Sequence, residues 1–245
     1  MRILRLTNSS DSHPGVPEEQ RSPAVAARII TELTGEPVET MQRGAWPTPG
    51  LAKVVERWMD DFQPDVVFFR LSSYWVAYES VPLRIERKLG AIGRPVARAG
   101  LHIGDRPWLI EHRTFKEARK LIARTIGGDT NFTPGQAGDS LDAVFRAIAA
   151  REGPLAVVRG TSLILNSTGT AACLRRSKRR ISELNALVEA SCERLHIPFE
   201  PEPPANAVST TRLDDDLHDS AIAHQQLGEA EGKLIAGAWL RRIDD

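Results

Sequence analysis

The sequence predicts an α/β fold, a three-layer sandwich around a parallel sheet of about five strands, formed by a single domain spanning residues 1–245. Three observations predict it. Short apolar runs alternate with segments of helical period along most of the chain. The run from Pro64 to Ser73 is continuously apolar through its middle, as a central parallel strand buried on both faces must be. The first apolar run, Ile3, Leu4 and Leu6, breaks into the small polar residues 7–12. A strand thus ends in hydroxyls on the edge where open α/β sheets bind ligands.

From the N-terminus, residues 2–7 predict a strand, and Pro14, Gly15 and Pro17 forbid a helix directly after it. Residues 18–33 predict a helix of mixed apolar spacing, through Ala24, Val25, Ala27, Ile29 and Leu33, ended by Gly35 and Pro37. A second strand is expected at 37–42, closed by Arg43, Gly44, Ala45, Trp46 and Pro47. Residues 49–62 place Leu51, Val54, Val55, Trp58 and Met59 on one helical face. After the third strand, 79–89 reads as a helix, whereas 90–108 shows no sustained period. Thr114 and Glu117 have the spacing of a capping box for a helix through residue 126. A loop at 127–138 and a helix at 140–151 follow, then a fourth strand at 154–159 and a small-residue loop at 166–170. A long helix at 172–195, a strand stub at 197–199, a proline connector at 201–204 and a helix at 220–242 close the chain. Residues from about 79 to 140 are the expected insertion, a helical lid or an oligomer contact.

Bulk composition narrows the function class. A chain of 245 residues can bury a substantial core, and 41% hydrophobic with 26% charged residues is soluble and globular in kind. Lys+Arg and Asp+Glu both total 32, so no net field draws the chain to nucleic acid or anionic membrane. No apolar run approaches the ~18 residues of a membrane span. Arg2 and Arg5 inside the first strand leave no room for the apolar core of a signal peptide. Cys173 and Cys192 fall in expected helix and read as free thiols in a reducing compartment. The expectation is a cytoplasmic enzyme or binding protein acting on a small molecule, with a homo-oligomer allowed.

The chemistry-bearing segment is the run from Asp214 to Ser220, just ahead of the final helix. Asp215 and His218 are spaced so that the carboxylate can hold the imidazole in one tautomer, freeing its other nitrogen to take a hydroxyl's proton. The same run also suits a helix N-terminus electrostatically, with His218 as a surface residue. Residues 7–12 are likewise compatible with ordinary turn chemistry. No metal site is expected, because no second His or Cys lies at ligand spacing and no His-Glu-x-x-His occurs. No Gly-x-x-x-x-Gly-Lys or Gly-x-Gly-x-x-Gly follows the first strand, which counts against a nucleotide cofactor. The basic run from Leu174 to Arg180, with Glu183, Glu189 and Glu193 downstream, reads as an ion-paired solvated face. Phe68 and Phe69 are expected in the core. Trp46, Tyr74, Trp75 and Tyr78 follow the two loops at the ligand edge, where Trp46 and Trp75 in particular suit an acyl- or sugar-binding wall.

Taken in order, the strand ending near Ser9, the glycine at position 44, the polar cluster after the third strand and Asp-x-x-His before the last helix make the sequence resemble the SGNH, or GDSL-type, hydrolases. The resemblance covers about residues 1–80 and 150–245. It implies a three-layer α/β fold that cleaves esters and acyl groups without a cofactor. The family's Gly-Asp-Ser falls on Thr7-Asn8-Ser9, making Ser9 the nucleophile, and Ser22-Pro23 matches the opening of the first helix. Asp215 and His218 complete the implied triad, and His224 matches a later histidine of many members. The amides of Ser9 and Gly44 are implied for the oxyanion hole. The third block, Gly-x-Asn-Asp, falls on Ser72-Ser73-Tyr74-Trp75.

Two departures bear on this resemblance. Ser10-Asp11-Ser12 offers a second family-like tripeptide, with Ser12 as the alternative nucleophile. Ser9 is preferred because an unbroken strand precedes it at the right distance from Ser22-Pro23. The third-block Asn is Tyr74, and loss of such a donor costs about 100- to 1,000-fold in rate. A hydroxyl from Tyr74 or Ser73 is therefore expected to replace it; otherwise the site is weakened, or has become a binding or regulatory one. A flavodoxin-like domain, with the 7–12 hydroxyls around a phosphate, would instead carry a flavin detectable by absorbance.

Overall fold

The computed structural model describes residues 1–7, 9–12, 14–90, 95, 114, 121, 128–161, 171–201 and 219–244, the side chains of Ser9, Ser10 and Asp244 excepted. Five parallel strands, β1 (Arg2–Thr7), β2 (Glu39–Gly44), β3 (Val66–Arg70), β4 (Leu155–Arg159) and β5 (Phe199–Glu200), form one sheet in the order β2-β1-β3-β4-β5. The described helices are α1 (Ser22–Thr34), α2 (Leu51–Phe62), α3 (Tyr74–Ala77), α4 (Val81–Leu89), α5 (Pro134–Ala149), α6 (Ala171–Arg194) and α7 (Ala221–Asp244). Two 3-10 turns, Ser9–Ser12 and Glu18–Gln20, precede α1.

The two-residue side-chain period of the strands divides the core into two layers. Leu4, Leu6, Val67, Phe69 and Val158 pack with Val55 and Met59 of α2, Leu141 and Phe145 of α5 and Leu184 of α6. Ile3, Val66, Phe68 and Val157 pack on the other side with Ile30 of α1 and Ile235 and Ala236 of α7. Helices therefore cover both faces, which is why β3 reads as a continuous apolar run. Phe68 and Phe69 point to opposite layers and are both fully buried. Among the described residues, no helix is long and apolar enough to cross a membrane.

Several boundaries differ from the expected ones for local reasons. The helix expected from residue 18 begins at Ser22, because Arg21 is extended and Pro23 sits in the first turn. Gly35 ends it in the left-handed region at φ 75°, where its N–H reaches the Thr31 carbonyl at 2.9 Å. β2 runs two residues later than expected, so Gly44 ends the strand instead of following it. α5 begins at Pro134, inside the expected loop. Thr133 Oγ1 accepts from the Gln136 N–H at 3.1 Å and Gln136 Oε1 accepts from the Thr133 N–H at 3.0 Å, a full capping box.

The basic run of α6 finds its partner outside the helix: Arg176 and Arg180 pair with Glu79, at 3.1 and 3.4 Å, just before α4. Cys173 and Cys192 both lie in α6 and are not joined in a disulfide. The expected 79–140 insertion lies largely outside the described residues.

Candidate active site

Parallel pairing brings separate parts of the chain to one edge. Thr7 of β1 stands opposite Gly44 of β2, and the Ala45 N–H reaches the Thr7 carbonyl at 3.1 Å. β1 also pairs with β3, so the carboxyl ends of β2, β1 and β3 lie side by side. Chain order reverses here, since β2 extends the sheet one way from β1 and β3 the other. That is the switch-point crevice where open α/β sheets bind ligands. Ser9 opens the 3-10 turn two residues beyond β1, Gly44 ends β2, and Ser72 and Ser73 follow β3 as buried residues. Among the described residues, nothing lies within 4 Å of a Cβ built at Gly44. Asp215 and His218, the expected acid–base pair, lie outside the described residues, which resume at Asp219.

An aromatic wall adjoins this edge. Trp46, 46% exposed, meets Tyr74 edge-on at 6.1 Å between ring centroids and Phe132 at 5.7 Å. Tyr74 also stacks on Tyr78 at 4.6 Å. Trp75 is not part of the wall: it is 2% exposed and packs against Phe69 in the core. Neighbours in a helix point about 100° apart, so α3 turns Tyr74 to the edge and Trp75 inward. Phe132 supplies the ring that the sequence reading assigned to Trp75, from a segment with no periodic signal.

The largest feature that sequence reasoning missed is a cluster of buried charges behind this edge. Arg5 shares a strand face with Ile3, Arg70 with Val66 and Phe68, and Arg159 with Val157, all turned towards α7. Glu231 of α7 bridges two of them, with Oε2 2.5 Å from Arg5 Nη2 and Oε1 2.9 Å from Arg70 Nη1. Asp11 bridges the same pair from the Ser9–Ser12 turn, bonded to Arg70 and 3.5 Å from Arg5. The Ser22 hydroxyl donates to Asp11 Oδ1 at 2.9 Å. Behind it, His224 Nδ1 accepts from the Ser22 N–H at 3.2 Å, which assigns the ring proton to Nε2. Among the described residues, Arg159 Nη1 reaches the Leu227 carbonyl, at 3.4 Å.

This setting fixes the charge states. Burial pushes the Asp11 carboxyl up, but the Arg70 and Arg5 guanidiniums, with the Ser22 and Thr7 hydroxyls, outweigh it and hold the pKa down at about 2. Burial dominates at His224 and keeps its imidazole below the ordinary range, despite Asp219, Asp11 and Glu231 nearby. Asp11 is therefore a carboxylate and His224 a neutral ring at neutral pH. The sequence held one sign of the cluster: arginines at strand positions whose neighbours on the same face are apolar.

No family model matches the sequence, and no curated protein matches it either. Solved structures do match across nearly the whole chain. The carbohydrate acetylesterase Est24 from Sinorhizobium meliloti is 12% identical, with 96% of this chain and 98% of that one covered at a TM-score of 0.56. An inhibitor-bound aryl esterase of M. smegmatis is 12% identical, with 97% and 99% covered at 0.57. The psychrotrophic esterase EstA from Pseudoalteromonas sp. is 12% identical, with 100% and 99% covered at 0.53. At such identities the likeness establishes architecture alone: the chain has the α/β fold of these esterases.

Proposed function

We propose that the protein is a serine hydrolase of the SGNH type that cleaves an ester or acyl group through an acyl-enzyme. The observation that carries this reading is the meeting of Ser9, Gly44 and Ser73 at the carboxyl ends of three adjacent strands, at the sheet's switch point. Ser9 Oγ attacks the carbonyl carbon while His218 takes its proton, with Asp215 orienting the imidazole. The amides of Ser9 and Gly44, and a hydroxyl from Ser73 or Tyr74, hold the oxyanion. His218 then returns the proton to the departing alcohol. Water, deprotonated by the same ring, releases the acid and frees Ser9. Trp46 walls the acyl or alcohol group, in company with Tyr74 and Phe132. Support for Ser9 over Ser12 comes from Asp11: the carboxylate of the Ser10-Asp11-Ser12 tripeptide is an inward anchor, 1% exposed.

The test is labelling with a fluorophosphonate probe, followed by mapping of the modified residue by mass spectrometry. Labelling should vanish in Ser9→Ala and persist in Ser12→Ala. The reverse pattern moves the nucleophile to Ser12. A parent protein with neither labelling nor turnover of any acyl ester supports the alternative, a binding or regulatory protein on the same fold.

A further inference from the structure

The buried charge cluster supplies no step of the proposed ester cleavage, yet it ties together both parts of the proposed machinery. Asp11 shares the four-residue turn Ser9–Ser12 with the nucleophile and is gripped from three elements: Arg5 in β1, Arg70 in β3 and Ser22 at the start of α1. The same arginines hold Glu231, and Ser22 holds His224, both on α7. α7 follows Asp219 and Ser220, immediately after His218 in the chain. Arg5 and Glu231 are 226 residues apart in sequence, so only the tertiary fold brings these ends together.

We propose that this cluster is a positioning lock: Asp11, acting with Ser22 and Arg70, fixes the Ser9 turn against the helix that carries Asp215 and His218 at its approach. The inference rests on the esterase reading. Its physical basis is directional. A 3-10 turn is short and poorly bonded within itself, whereas forked guanidinium–carboxylate pairs admit few geometries. Burial makes each alternative arrangement costly, because it strands a charge. Misplacement of a reacting group by about 1 Å can cost about 100-fold in rate, so a turn of this length gains from an anchor two residues past its nucleophile. Asp11, Ser22 and Arg70 are thus positioning residues that touch no substrate.

Ser22→Ala tests the lock, since it removes the hydroxyl from Asp11 and leaves in place the ion pairs of Asp11 and Glu231 with Arg5 and Arg70. On a short-chain nitrophenyl ester, kcat should fall about 10-fold with KM unchanged, and the rate of fluorophosphonate labelling should fall equally. Val66→Ala is the structural control. Val66 is buried in the same layer but lies at the start of β3, four residues before Arg70. It should lower Tm at least as far while leaving kcat within about twofold of the parent. Parental kcat and labelling rate in Ser22→Ala overturn the lock and leave the esterase reading standing, as does a turnover loss in Val66→Ala equal to that in Ser22→Ala. A parent protein that neither labels nor turns over ester overturns the esterase reading and the lock with it.

Discussion

Replacing Gly228 by alanine should destabilise the protein, although the same change in an open helix is favourable. A Cβ at Gly228 would stand 2.6 Å from Val25 Cβ and 2.7 Å from the Ser22 carbonyl oxygen. Ordinary contact begins at 3.4 Å, and neither obstacle can rotate away, so α7 must retreat from α1 by most of an ångström. Glu231 lies on the next turn of α7, and that retreat stretches its bonds to Arg5 and Arg70, now 2.5 and 2.9 Å. Helix propensity returns about 1 kcal/mol for Gly→Ala. Overpacking costs about 1–3 kcal/mol, and loosening a buried charge pair adds to it. The net expectation is a loss of about 1–2 kcal/mol, or about 2–8 °C in Tm for a chain of this size.

Gly237→Ala in the same helix provides the opposite case. Among the described residues, its Cβ would meet Arg241 Nη1 alone, at 3.6 Å, so it should gain about 0.5–1 kcal/mol. Urea titrations of both variants, followed by circular dichroism, measure the two signs side by side. If Gly228→Ala matches the parent or rises with Gly237→Ala, α1 and α7 are not packed backbone to backbone and the reasoning fails.

Two further predictions concern charge and the oxyanion. Asp11 is held at a pKa of about 2 against an ordinary 3.8. A depressed carboxylate lends stability that is complete above about pH 4 and disappears as the pH falls towards 2; here it amounts to about 2 kcal/mol. Urea midpoints measured from pH 6 to pH 2 should show that loss in the parent, and an Asp11→Asn variant with the same acid loss would refute the assignment. At the oxyanion, the Tyr74 ring is committed to Tyr78 and Trp46, which favours a wall over a donor. Tyr74→Phe should therefore be nearly silent in kcat, and Ser73→Ala should lower it about 100-fold with KM little changed; a 100-fold loss in Tyr74→Phe reverses the two roles.

What could be read from the sequence was whatever depends on neighbours along the chain. The unbroken apolar run of β3 announced a strand covered on both sides, and the spacing of Leu51, Val55 and Met59 announced the buried face of α2. The end of β1 was legible as well, because small polar residues follow it, whereas β2 ends two residues beyond the expected 42 and β3 stops at Arg70, short of Ser73. The start of α5 was also written locally, in Thr133, Pro134 and Gln136, but two glycines nearby drew the reading towards a loop. Trp75 was placed at the ligand edge on position alone, and the step of about 100° from Tyr74 to its helical neighbour sends it to the core instead.

Only the tertiary structure decided what Arg5, Arg70, Arg159, Asp11 and Glu231 are for. Read singly, a strand arginine interrupts an apolar pattern and an aspartate in a serine-rich turn suggests catalysis. Their meaning depends on which strands are neighbours, on which layer each face enters and on the helix that closes over that layer. Those are non-local matters, set by sheet order and by the close approach of α7 to α1 at Gly228 and Gly232. Hydrophobic period fixes elements and faces because each residue's burial is nearly independent of the others. A buried charge is tolerable only with its particular partner beside it, so its place can be known only after the whole fold is.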